Sequence, residues 1–283
     1  MTYAAPATLE DALSLMREGA GPAIAGGTDL YPALGERPAP ARLLDLTGIA
    51  ALRGVAEGPE GWRIGALTTW AEIAAHPFPP AFDGLRAAAR MVGSVQIQNA
   101  GTIGGNLCTA SPAADGVPPL LTLDAEVEIA GAEGSRRLPL SEFLTGPRRT
   151  ALRPGELLVA LHIPPPPKGA AGAFVKLGAR AHLVISIAMA AALVAPGAGG
   201  RIGAARVAVG ACSPVAARLT GLEAALAGAE PGALHNPALA APHLGPLAPI
   251  DDVRADAGYR RAAAAEIARR ALREAAAGAG LLP

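Results

Sequence analysis

GTIGGNLCTASPAAD, residues 101–115, is the stretch on which the reading of this chain turns. Three glycines, two threonines and a serine crowd into it around Pro112, and a lone carboxylate, Asp115, closes it. Its pattern matches neither an ordinary strand nor an ordinary helix. Glycine admits positive φ and lets a backbone come close to another group. The stretch is therefore either a corner in the chain or a surface that offers its peptide N–H groups to a ligand.

A second glycine pair, Gly26 and Gly27 in AIAGGTDL (residues 23–30), poses the same choice. Both pairs follow a helical pattern and a few apolar residues, which puts them at strand ends or in turns. Successive N–H groups in such turns form a small positive nest that holds phosphate oxygens. One glycine pair usually only turns a chain. Two of them, with the hydroxyls of Thr28 and Thr102 and with Asp29 and Asn106 at their ends, favour binding. Neither loop contains lysine or arginine, so a diphosphate there would be held by amides and hydroxyls. The G-x-G-x-x-G fingerprint and the G-x-x-x-x-G-K-[ST] loop are both missing, so any nucleotide would be held by unrelated loops.

The 283 residues suffice for two or three domains. The 24 basic and 24 acidic side chains cancel, so there is no electrostatic footprint for nucleic acid or an anionic membrane. Lys168 and Lys176 are the only lysines, and heavy use of Ala, Gly, Pro and Arg reads first as genome composition. Cys108 and Cys212 make neither a disulfide framework nor a zinc motif, which fits a reducing cytoplasm. The first 16 residues lack a secretory pattern. The most apolar run, LVISIAMAAALVA at 183–195, is shorter than the ~20 residues a membrane span needs. A cytoplasmic chain without an integral membrane segment is expected.

Thr8 with Asp11 three residues on predicts a helix start, and Thr69 with Glu72 another. Helical patterns also run from Phe82 to Met91, from Ser213 and Pro214 through Leu226, and from Tyr259 onward, the last with its arginines on the wet side. Strands are expected at 42–46, 62–67, 126–130, 157–163, 184–194 and 205–210. Leu120 and Leu121 read as an apolar stretch. PPPP at 164–167 must be extended and marks a linker or sheet edge. Strand and helix alternate as in mixed α/β layers. The five histidines show neither metal spacing nor a nucleophile partner, and none is assigned a role.

AGGTDL together with QNAGTIGGNLCTASPAAD resembles the flavin-binding subunits of the molybdenum hydroxylases, such as the medium subunit of aerobic carbon monoxide dehydrogenase and the flavin domain of xanthine dehydrogenase. The likeness continues through IGALTT (64–69), PGELLVALHIP (154–164), AFVKLGAR (173–180), DDVR (251–254) and YRR (259–261), nearly the whole chain. It implies an α+β architecture. A two-subdomain FAD-binding fold of the vanillyl-alcohol-oxidase/PCMH type would cover 1–176, dividing near 55. A small C-terminal α+β domain, an antiparallel sheet plus helices, would cover 177–283.

The cofactor so implied is FAD. Ile24, Ala25, Gly26, Gly27, Thr28, Asp29 and Leu30, with Gly101, Thr102, Ile103, Gly104, Gly105 and Asn106, would cradle its diphosphate. Gly93 would pass near the adenine end, Ser111 and Asp115 would bond sugar-like hydroxyls, and Leu158 and Lys176 would lie near the isoalloxazine. Asp29 would be repelled by a diphosphate, so its expected role is to tie its turn through backbone N–H groups. Cys108 is expected to be a small packed residue. Gln98 stands where relatives usually carry arginine, which bears on partner contact or redox tuning.

Two cysteines cannot supply the four thiolates of an iron–sulfur cluster. The resemblance therefore places substrate oxidation on a molybdenum-cofactor large subunit. Electrons would pass through a [2Fe–2S] small subunit to the FAD of this chain and on to NAD⁺, a quinone or dioxygen, in a heterotrimer or a dimer of heterotrimers. No catalytic side chain is assigned. A stand-alone FAD oxidase, and a scaffold subunit that has lost FAD, are the alternatives.

Overall fold

The computed structural model describes residues 2–283, which form three main sheets and a two-stranded ribbon with helices between them. The chain begins β1 (Thr2–Ala4), α1 (Leu9–Arg17), β2 (Ala23–Ile24), α2 (Leu30–Leu34) and β3 (Arg42–Asp45), and its three strands make a small parallel sheet in the order β1-β3-β2. Thr8 Oγ1 accepts the Asp11 N–H at 3.1 Å, so α1 starts where the cap pattern predicts.

Next come β4 (Val55–Gly58), β5 (Gly61–Gly65), α3 (Trp70–Ala75), α4 (Asp83–Met91), α5 (Val95–Ala100), α6 (Ile103–Thr109), α7 (Val117–Thr122), β6 (Glu126–Gly131), β7 (Gly134–Pro139), α8 (Leu140–Phe143), β8 (Leu144–Gly146), β9 (Arg149–Thr150) and β10 (Leu157–Ile163). Strands β4-β5-β10-β6-β7 form an antiparallel sheet, while β8 and β9 pair as the ribbon. The strand period of two, shifted by a bulge between Leu158 and Ala160, lets β10 serve two cores. Leu158, Leu161 and Ile163 pack with Trp70, Phe82 and Leu107 on one side, and Leu157 and Val159 pack with Leu44, Leu46 and Leu52 on the other.

The chain ends β11 (Ala171–Leu177), β12 (Ala188–Pro196), β13 (Ile202–Gly210), β14 (Ala217–Arg218), α9 (Thr220–Leu226) and α10 (Ala257–Gly278). These four strands form an antiparallel sheet in chain order. Its β12 is buried along all but its last residue. Helices α9 and α10 cover one face, and α4 and α7 from the first part of the chain cover the other. A strand covered on both faces has no wet side, so AMAAALVA reads as one apolar run, and its alanines let helices approach closely. No helix among the described residues is long and apolar enough to cross a membrane.

The sequence reading is corrected at five places. Residues 103–109 are helical, because the Thr102 cap and packing on Ala66 outweigh the low helix propensity of the glycines. The strand expected at 184–194 starts only at Ala188 and runs to Pro196. The helix expected from Ser213 begins only at Thr220; the residues before it extend so that β14 can pair with β13 at Ala208 and Val209. The arginines of α10 are not all wet, since Arg260 is buried with its guanidinium on the Ile187 and Ala211 carbonyls and on Asp252. Finally, β11 belongs to the last sheet over its full length, so the change of sheet falls in the proline run and not at Lys176.

Candidate cofactor site

Strand β2 leads into residues 24–30, and the α5–α6 turn supplies Gly101, Thr102, Gly105 and Asn106; together they line one open cleft of about 420 Å³. The two loops touch. A Cβ on Gly26 would lie 1.7 Å from the Ala100 carbonyl oxygen, so only glycine permits the junction. Gly27 has φ of +67°, and Thr28 packs against Gly101.

The bareness of the second loop has a different cause. A Cβ on Gly104 would meet the Ala66 carbonyl oxygen at 2.6 Å, and one on Gly116 would meet the Trp70 ring at 2.4 Å. These glycines are bare so that the loop can pack on its neighbours. Its amides are also engaged: Ile103 donates to Thr68 O at 3.0 Å, Gly104 to Ala66 O at 2.8 Å, Gly105 to Thr102 Oγ1 at 3.0 Å and Asn106 to Thr102 O at 3.0 Å. In the second loop only the Thr102 N–H lacks an acceptor among the described residues. The N–H groups of Gly26, Gly27, Thr28 and Asp29 have no acceptor among the described residues.

What the second loop contributes is side-chain chemistry. Asn106 Oδ1 is buried in the cleft wall without a hydrogen-bond partner. A buried acceptor left alone is costly, so the site asks for a donor there. Free N–H donors and an orphaned acceptor in one cleft suit a ligand that combines an anionic oxygen cluster with hydroxyl groups. FAD is such a molecule, and the residues fit it.

Ile24, Ala25, Leu30, Gly101, Thr102, Gly105 and Ser111 line the cleft, whereas Ile103 and Gly104 lie buried behind it. Gly93, at φ of +54°, follows the lining residue Val92. Asp115 and Lys176 lie beyond the lining, past Ala114, as a pair with Nζ to Oδ2 of 2.7 Å and side chains 10% and 6% exposed respectively. Burial pushes the Asp115 carboxyl above its ordinary range, against the pull of the Lys176 ammonium and the Ser186 hydroxyl. Ser186 Oγ donates to Asp115 Oδ1 at 3.0 Å. Leu158 is a core residue beside a bulge in β10.

Asp29 does not tie its own turn. It makes no side-chain cap bond, and its carboxylate accepts from Arg148 Nη1 at 2.6 Å. Cys108 is exposed on the cleft wall, not packed. Gln98 Nε2 donates to Arg90 O at 2.9 Å and braces α5 on the end of α4. Among the described residues no group of His, Cys, Asp and Glu could hold a metal. Trp70, Arg148 and Ser186 escaped the sequence reading. The tryptophan stands directly after IGALTT and could have been noticed, but nothing local marks the other two.

Residues 1–166 match the model of the FAD binding domain in molybdopterin dehydrogenase, and residues 173–275 match the CO dehydrogenase flavoprotein C-terminal domain. The chain is 40% identical over 193 residues to the nicotinate dehydrogenase FAD-subunit of Eubacterium barkeri, covering 65% of each chain. Matches to the first few such relatives span about 60–65% of their length. Among solved structures, it is similar to a chain of Cu,Mo-CO dehydrogenase in its cyanide-inactivated form, with a TM-score of 0.88, 30% identity and 98% of each chain covered. It is also similar to a chain of quinoline 2-oxidoreductase from Pseudomonas putida 86, with a TM-score of 0.87, 28% identity, and 99% of this chain and 98% of that one covered.

Proposed function

This chain belongs to the FAD-binding subunits of the molybdopterin dehydrogenases, and from that premise we propose that it is the flavin-carrying electron-transfer subunit of a molybdenum hydroxylase complex. The observation that carries the reading is that a row of free N–H groups at Gly26–Asp29 and the unpartnered Asn106 oxygen belong to one cleft. Bound FAD supplies acceptance of electrons singly and their release in pairs. The chain supplies the rest. Residues 26–29 donate to the diphosphate, Asn106 and Ser111 take up hydroxyls, and Thr102 holds α6 in place through its cap.

The Asp115–Lys176–Ser186 cluster joins residues of both parts of the chain beside the cleft, which suits it to orient the flavin end. In this reading the substrate is oxidised on a molybdenum-bearing partner, and an iron–sulfur partner delivers the electrons. The names of the relatives support partners of this kind: one is a subunit of a dehydrogenase complex, and others are medium chains.

Titration of the flavin-free protein with FAD, followed by quenching of flavin fluorescence, tests the reading. One tightly held FAD per chain is expected, and protein that takes up none overturns it in favour of a scaffold. Turnover of a small alcohol or amine by the isolated, FAD-loaded chain would instead make it a self-sufficient oxidase.

A further inference from the structure

We propose that Arg148 is a further binding residue for the cofactor's diphosphate, a cation brought to the cleft from a hairpin outside both glycine loops; this rests on the flavin reading above. Among the residues that line the cleft, Asp29 is the one charged side chain. A diphosphate entering beside it would meet an uncompensated carboxylate. The structure compensates it from 119 positions away in sequence, with Arg148 Nη1 2.6 Å from Asp29 Oδ2.

The guanidinium carries five N–H donors in a planar fork, and this bond uses one edge of it. The others make no bond among the described residues, which leaves them for an anion that enters beside Asp29. The root of the side chain is held as well. Arg148 donates its backbone N–H to Ala110 O at 2.9 Å, the residue that ends α6.

Both residues stand in the left-handed region, with φ of +57° and +47°. A non-glycine residue there is strained, and such strain gathers at binding sites. Stability does not account for the arrangement, because side chains 58% and 48% exposed form a pair that adds little to folding. The left-handed backbone serves the cap of α6 and the β8–β9 turn, and a binding role accounts for the pairing with the cleft's carboxylate.

The test compares FAD affinity of wild type, Arg148→Gly, Arg148→Lys and Arg148→Gln by fluorescence quenching at low and high salt. Glycine adopts positive φ freely, so R148G removes the side chain without new strain. We expect R148G to bind FAD about tenfold to a hundredfold more weakly, the range of a charged hydrogen bond, with a flatter salt dependence than wild type. R148K should recover part of the loss and R148Q should not. R148G within twofold of wild type, or equal affinity in R148K and R148Q, overturns the proposal while leaving wild-type FAD binding intact. Wild-type protein that binds no FAD removes the flavin reading and this proposal together.

Discussion

Gly104 shows how one missing Cβ can be misread from sequence. Valine there would be expected to collide with a diphosphate, but the collision the structure shows is with the Ala66 carbonyl, 2.6 Å from the Cβ position. Gly104→Ala should therefore cost about 1–3 kcal/mol of stability as overpacking, measured by urea unfolding of the flavin-free protein. Unchanged stability would mean the loop is looser in solution. Asp115 carries a second residue-scale prediction. Alanine there leaves the Lys176 ammonium, 6% exposed, without its partner. Breaking a buried pair costs about 3–5 kcal/mol, so Asp115→Ala should unfold at much lower urea than an Asp115→Asn, Lys176→Met double variant. Equal midpoints would show that the pair is solvated.

At the scale of elements, capping decides where helices begin, and neighbours decide whether short ones exist. Thr69 and Glu72 form a reciprocal capping box at α3, and Asp256 caps α10 by accepting the Tyr259 N–H. The same helix places buried Arg260 against Asp252 at 2.6 Å. The Arg254 N–H first, and then the Arg260 guanidinium against the opposing effect of burial, lower the Asp252 carboxyl from 3.8 to about 2. A carboxylate lowered on folding stabilises the native state fully above its unfolded value, and the contribution fades as pH falls through the folded value. Thermal melts of wild type should thus lose stability between pH 3.8 and about 2, and Asp252→Asn should flatten that limb. Parallel acid limbs in both proteins would exclude this carboxylate. Ser213 illustrates the opposite case: a good cap and Pro214 were overruled, because the chain after them extends so that Arg218 can reach Asp124 and Glu223.

The whole molecule works because its last sheet completes what the first part of the chain begins. Leu193, Ala195 and Ala208 of that sheet belong to the same core as Leu120 and Leu121, and Lys176 and Ser186 close on Asp115. A fragment ending at Pro167 should lose that apolar cover and leave Asp115 unpaired. It is expected to aggregate, or to bind FAD at least about tenfold more weakly than the full chain. A soluble fragment with full affinity would show that the second part is dispensable for the site. Among the described residues, two of the five non-glycine positions with positive φ, Ala110 and Arg148, lie at the end of α6 and on the hairpin held to it. Such strain persists only where surrounding structure holds it.

The sequence by itself determined the family, the mixed architecture, the starts of the capped helices α1 and α3 and of strands such as β6 and β10, and both glycine loops. Caps, strand alternation and glycine pairs are local signals, and a few neighbouring residues suffice to express them. Tertiary structure alone decided which glycines free an amide and which merely admit a neighbour, since that depends on whether Ala100, Ala66 or Trp70 stands opposite. It also decided that Asp29 meets Arg148, that Asp115 is shared by Lys176 and Ser186, and that Arg260 is buried. Burial and charge pairing are set by contacts between residues far apart along the chain, and no window of sequence contains both partners.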